Sequence, residues 1–124
     1  MCQKAVGGPF MAWAKVHTED FAWTRGKPSV FRSSSAAERG FCAACGTPLS
    51  FAYLKRPEAI SLTLGTFDEP GRVQFTVIDG IEGRWESLDP ARLQNLPAHT
   101  TAEAPAPEDL SRIQKHQHPD HETP

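Results

Sequence analysis

The chain carries three cysteines in 124 residues, too few and of the wrong parity for all of them to pair within the chain as disulfides. It also lacks any apolar run approaching the roughly 18 to 20 residues that span a bilayer as a helix, so no such segment is expected. The opening residues MCQKAVGGPF do not have the charged-then-apolar layout of a secretory signal, and the cytoplasm is the expected location. A strong imbalance of charge is missing as well. The formal net charge is -2 with no basic patch, which predicts no general attraction to nucleic acid or to an anionic membrane. Neither a periodic repeat nor a long heptad pattern appears.

What the chain does hold is turn chemistry. Gly 9 and Pro 11 exceed the roughly 12% of average usage, which favours short strands joined by turns over long helices. Its length fits one domain with a workable but not generous core. Residues 9–17 (PFMAWAKVH) read as a strand leaving the Gly7-Gly8-Pro9 turn. Thr18 can cap one helical turn, after which Phe21 and Trp23 alternate as a second short strand. SVFR at 29–32 is a further strand candidate, and Ser33-Ser34-Ser35 loosens the chain behind it. LSFAY at 49–53 and ISLTL at 60–64 alternate with period two and are expected to form a hairpin. Val73, Phe75 and Val77 give a third such run, so an antiparallel meander is predicted. Asp89 and Pro90 can start a short helix over ARLQN. The expected domain is residues 1–97, followed over 98–124 by a polar tail, partly disordered or a short helix in which Leu110 and Ile113 dock on the body. The predicted class is mainly β.

The strongest local signal is Phe41-Cys42-Ala43-Ala44-Cys45-Gly46-Thr47-Pro48-Leu49. Two cysteines separated by two residues can turn both sulfurs toward one tetrahedral ion, and the glycine behind them can take a conformation that aims amide N–H groups at the thiolates. A thioredoxin-type redox pair would instead follow a strand and open a helix, and inert buried cysteines are the plain structural alternative. A structural zinc needs four ligands, and the pair supplies two. The remaining candidates are Cys2, His17, His99, and the tail histidines His116, His118 and His121. A set of Cys2, Cys42, Cys45 and one histidine is conceivable, although no second pair with ligand-like spacing is present.

Cys2-Gln3-Lys4-Ala5-Val6-Gly7-Gly8-Pro9-Phe10, Trp23, Gly26, Phe31, Ser33-Ser34, Arg39-Gly40-Phe41 with the cysteine pair, Gly65-Thr66-Phe67-Asp68-Glu69-Pro70 and Trp85 together resemble the glutathione-dependent formaldehyde-activating enzyme (Gfa) family over about residues 1–97. The resemblance implies an Mss4-like fold of antiparallel sheets carrying zinc. It implies a structural zinc held by an N-terminal CxC pair together with Cys42 and Cys45, and a second zinc held by a CxCxxC motif whose last cysteine is Cys2. The CxC pair and the first two cysteines of CxCxxC do not occur in this chain, which reads as a member whose front has been cut away. A weakened fold, or a homodimer covering the lost edge, is the expected consequence.

The reaction the resemblance implies is addition of the glutathione thiol to formaldehyde, or its reverse, a carbon–sulfur lyase activity. Zinc suits it by presenting a thiolate or by polarising the carbonyl, each through an open coordination position. A non-catalytic zinc-binding module of the same fold is the other reading. Trp13, Trp23 and Trp85 are expected as core or rim aromatics, Asp68 and Glu69 as turn residues, and the tail histidines as solvated; Arg39 can steady an anionic substrate or pair with a carboxylate of the chain, and the second role is preferred.

Overall fold

A computed structural model describes residues 1–88 and 94–96. The architecture is mainly β: β1 (Trp13–His17), β2 (Ser29–Phe31), β3 (Ala37–Phe41), β4 (Pro48–Tyr53) and β5 (Ala59–Thr63) form one sheet in the order β1-β5-β4-β3-β2. Every neighbouring pair is antiparallel. Directly opposed residues of antiparallel strands share a face. The registers Lys15↔Ser61, Phe51↔Ser61, Arg39↔Phe51 and Phe31↔Arg39 therefore draw a single row across all five strands. Trp13 and Tyr53 lie two residues along from members of this row and so join the same face. Phe51 accordingly meets Trp13 at 5.8 Å and Tyr53 edge-on at 4.9 Å between ring centroids.

Four strand expectations hold, with β1 shorter than the PFMAWAKVH run suggested. Aromatic and β-branched residues suit a half-buried pleated surface, and LSFAY and ISLTL pair as the predicted hairpin. Two expectations do not hold. Phe21 and Trp23 form no strand; their rings stack edge-to-face at 4.8 Å beside a single 3-10 turn, Thr18–Asp20. Thr18 does not cap that turn: it is the first residue of it, His17 holds the cap position without a side-chain bond, and the Thr18 hydroxyl donates to the Pro57 carbonyl at 2.5 Å. The Val73, Phe75, Val77 run is irregular, with Phe75 and Val77 largely exposed. The sheet order explains why: β5 is flanked by β4 on one side and by β1 on the other, so a strand following β5 finds both of its edges occupied. The first strand of the sheet has taken the place that the meander would have given to 73–77.

One strand went unread. Ala37-Glu38-Arg39-Gly40-Phe41 has no clean alternation, yet β3 lies between β2 and β4 and contains three of its five residues buried. Ahead of the sheet, α1 (Cys2–Val6) is a single short helix closed by Gly7 at φ 64, the left-handed conformation that glycine adopts without steric cost. Gln3 ties it down, donating from Nε2 to the carbonyls of Pro9 at 3.0 Å and Gly83 at 2.7 Å.

The core is thin. Among the described residues the buried apolar side chains are Ala37 and Leu64, and the buried polar ones are Arg39 and Ser50. No described helix is long and apolar enough to cross a membrane. The expected helix at 89–95 lies largely, and the tail over 98–124 wholly, outside the described residues.

Candidate thiol and metal centre

The loop joining β3 to β4 carries the cysteine pair. The Cys42 amide donates to the Thr47 carbonyl at 2.9 Å, and the Gly46 amide returns to the Cys42 carbonyl at 2.8 Å. Closing so tight a loop requires a left-handed residue, and Gly46 supplies it at φ 76. The glycine behind the second cysteine thus takes the special backbone conformation expected of it, with its own amide turned to the Cys42 carbonyl and not to a sulfur. Cys45 Sγ and Thr47 Oγ1 are 3.0 Å apart, and no disulfide joins any of the three cysteines. The loop carries two thiols on one hydrogen-bonded turn, half the number of ligands that a tetrahedral zinc site needs.

The structure does not gather the other candidates around this turn. Among the described residues no group of three or more His, Cys, Asp or Glu side chains could share an ion. His17 is exposed at the end of β1, and His99, His116, His118 and His121 lie outside the described residues. Cys2 sits at the start of α1, where its Sγ accepts a hydrogen bond from Arg39 Nη2 at 3.4 Å. One thiol beside a guanidinium is not a donor set for a cation. Cys42 and Cys45 thus remain two candidate ligands on one turn, and among the described residues no third ligand joins either them or Cys2.

Of the two roles read for Arg39 from the sequence, the preferred one does not hold. The expected carboxylate is absent: Arg39 makes no ion pair among the described residues, whereas Arg72 pairs with Glu69 in the turn after Asp68. Its guanidinium instead lies 4.9 Å from the Phe51 ring centroid and 6.0 Å from that of Trp13, while Nη1 is buried with no hydrogen-bond partner. The cross-strand register places Arg39 opposite Phe51, so the aromatic contact follows from sheet geometry. An arginine at a strand centre, facing ring positions, is the signal that could have been read.

Arg39 lines an open cleft of about 490 Å³, whose walls include Met1 and Lys4 of the amino-terminal segment, Trp13 of β1, and Gly46 and Pro48 beside the cysteine turn. Among the described residues that line it, none is acidic. Of the other tryptophans, Trp23 is 38% and Trp85 47% exposed, rim positions for both.

Fold and site together define a small, mainly β protein in which a reduced Cys-x-x-Cys turn adjoins a basic, aromatic cleft. The model of the glutathione-dependent formaldehyde-activating enzyme family matches residues 1–78, and the chain belongs to that family. No curated protein and no solved structure matches it.

Proposed function

We propose that this chain is a zinc-binding protein that forms or breaks the carbon–sulfur bond of a glutathione–formaldehyde adduct or a related thiol adduct. The observation that carries this reading is the family match over residues 1–78. The cleft supports it, since a concave site of a few hundred cubic ångströms with an aromatic wall and a few polar groups suits a small molecule. In the forward direction the thiol sulfur bonds to the carbonyl carbon and the thiol proton ends on the carbonyl oxygen. Cys42 and Cys45 would hold the zinc, which at a site of this kind supplies folding energy. No step is derived through a metal at Cys2. The chain's own contribution is to bind and orient the adduct between α1 and β3. A reducing compartment such as the cytoplasm suits a function that depends on paired thiols.

The absence of any three-ligand group among the described residues favours a second reading, a zinc-binding interaction module without catalysis. Exposed Phe31 and Tyr53, on one face of the sheet, would then meet a partner. Two measurements on the full chain separate these readings. Elemental analysis should find about one zinc per chain, lost in C42S and C45S. Two-dimensional NMR exchange between glutathione and its formaldehyde adduct should then be faster with the zinc-loaded protein than without it. Zinc retention with no faster exchange would leave the interaction module; no zinc retention would refute both.

A further inference from the structure

We propose that Arg39 is the carboxylate-binding residue of the cleft, recognising an acid group of a small thiol-bearing compound of the glutathione class; this rests on the reading just given and specifies its ligand. A guanidinium keeps its charge at any physiological pH and carries five N–H donors in a rigid fork. Arg39 uses few of them. It is 9% exposed, its Nη2 donates to the weak acceptor Cys2 Sγ, and Nη1 is enclosed without a partner. Buried charge is normally paired with a counter-charge, and no carboxylate among the described residues pairs with this one. The faces of Phe51 and Trp13 screen the cation without satisfying its N–H groups.

The missing partner is an anion that enters the cleft, where Lys4 adds a second positive charge and no acidic residue opposes it. A planar carboxylate matches the fork through two parallel hydrogen bonds. Because Nη1 is closed to solvent, a wall must give way. The wall from Met1 to Ala5 is the one to move, since α1 has no buried residue, and a shift of its middle is opposed by the two hydrogen bonds of Gln3. Displacing Cys2 from Nη2 would free the second tine of the fork, so binding of the acid and release of the Cys2 thiol are coupled.

The test titrates S-methylglutathione, its dimethyl ester and inorganic phosphate into the isotope-labelled, zinc-loaded full chain, followed by NMR. The acid is expected to bind roughly 10- to 100-fold more tightly than the diester, the range set by one charge-assisted hydrogen-bonded pair. R39Q should abolish that preference, and R39K, which keeps the charge without the fork, should retain part of it. The comparison of ligands on the unaltered chain decides even where R39Q folds poorly. Equal affinity for acid and diester, no binding of either, phosphate as tight as the acid, or an R39Q variant with undiminished preference would each overturn the proposal. None of these results touches zinc content or exchange rate, on which the broader reading is judged.

Discussion

Gly40 is the position where the sheet leaves no room. It lies in β3, opposed to Ser50 on β4 and to Val30 on β2. A Cβ built there collides with Ser50 Oγ and stands 3.2 Å from both Cβ and Cγ of Pro28. Ser50 is 7% exposed, so its hydroxyl has little space to rotate away, and the Pro28 ring is rigid. Overpacking of this kind typically costs about 1–3 kcal/mol, and Gly40→Ala is expected near the upper end because two neighbours must yield. With the thin core described above, that is a sizeable share of the roughly 5–15 kcal/mol typical of a domain. At roughly 4–8 °C per kcal/mol for a domain of 60–100 residues, the melting temperature should fall by about 10 °C or more. Urea denaturation of the single and double variants gives the direct test. Ser50→Ala removes the colliding oxygen, so the pair G40A/S50A should recover about 1 kcal/mol relative to the sum of the single changes, within the usual range for contacting residues. The Pro28 part of the cost should persist. An unchanged urea midpoint in G40A, or purely additive effects in the double variant, would refute this account of β3 packing.

Gly46→Ala should strain the cysteine turn by about 1–2 kcal/mol, the cost of a left-handed conformation for an ordinary residue; competition with a calibrated chelator should show weaker zinc retention while the sheet stays intact by circular dichroism. Phe51→Leu removes the ring that faces Arg39 and two aromatic neighbours, and thermal melts should show a loss of about 1–2 kcal/mol. Chelation of the zinc-loaded protein should lower the melting temperature and speed amide exchange first in residues 42–47, because the turn depends on the metal while the β1–β5 pairing does not. A melting curve indifferent to chelator would remove the structural role given to Cys42 and Cys45.

The zinc proposed for the turn would bear on the thinness of the core. Leu64 and Ala37 bury little apolar area, and small domains with modest cores commonly lean on a metal or a disulfide. With no disulfide present, the turn at Cys42 and Cys45 is the place where a metal would give such support, in the hairpin that joins β3 to β4.

Local pattern alone determined four of the five strands and the glycine-closed cysteine turn. In each, the information lies within a few residues: alternation records which side of a pleat is covered, and a glycine behind a tight loop supplies a backbone angle that other residues resist. Three features required the tertiary structure. AERGF became a strand because β2 and β4 present edges on either side of it, which outweighs its weak intrinsic preference. The run at 73–77, with better alternation, is no strand because β1 already pairs with β5. Arg39 meets Cys2 across a sequence separation of 37 residues and faces Phe51 through register. Periodicity can state that a segment is able to form a strand, whereas which edges are vacant, and which charge is left without a counter-charge, depends on parts of the chain far apart in sequence.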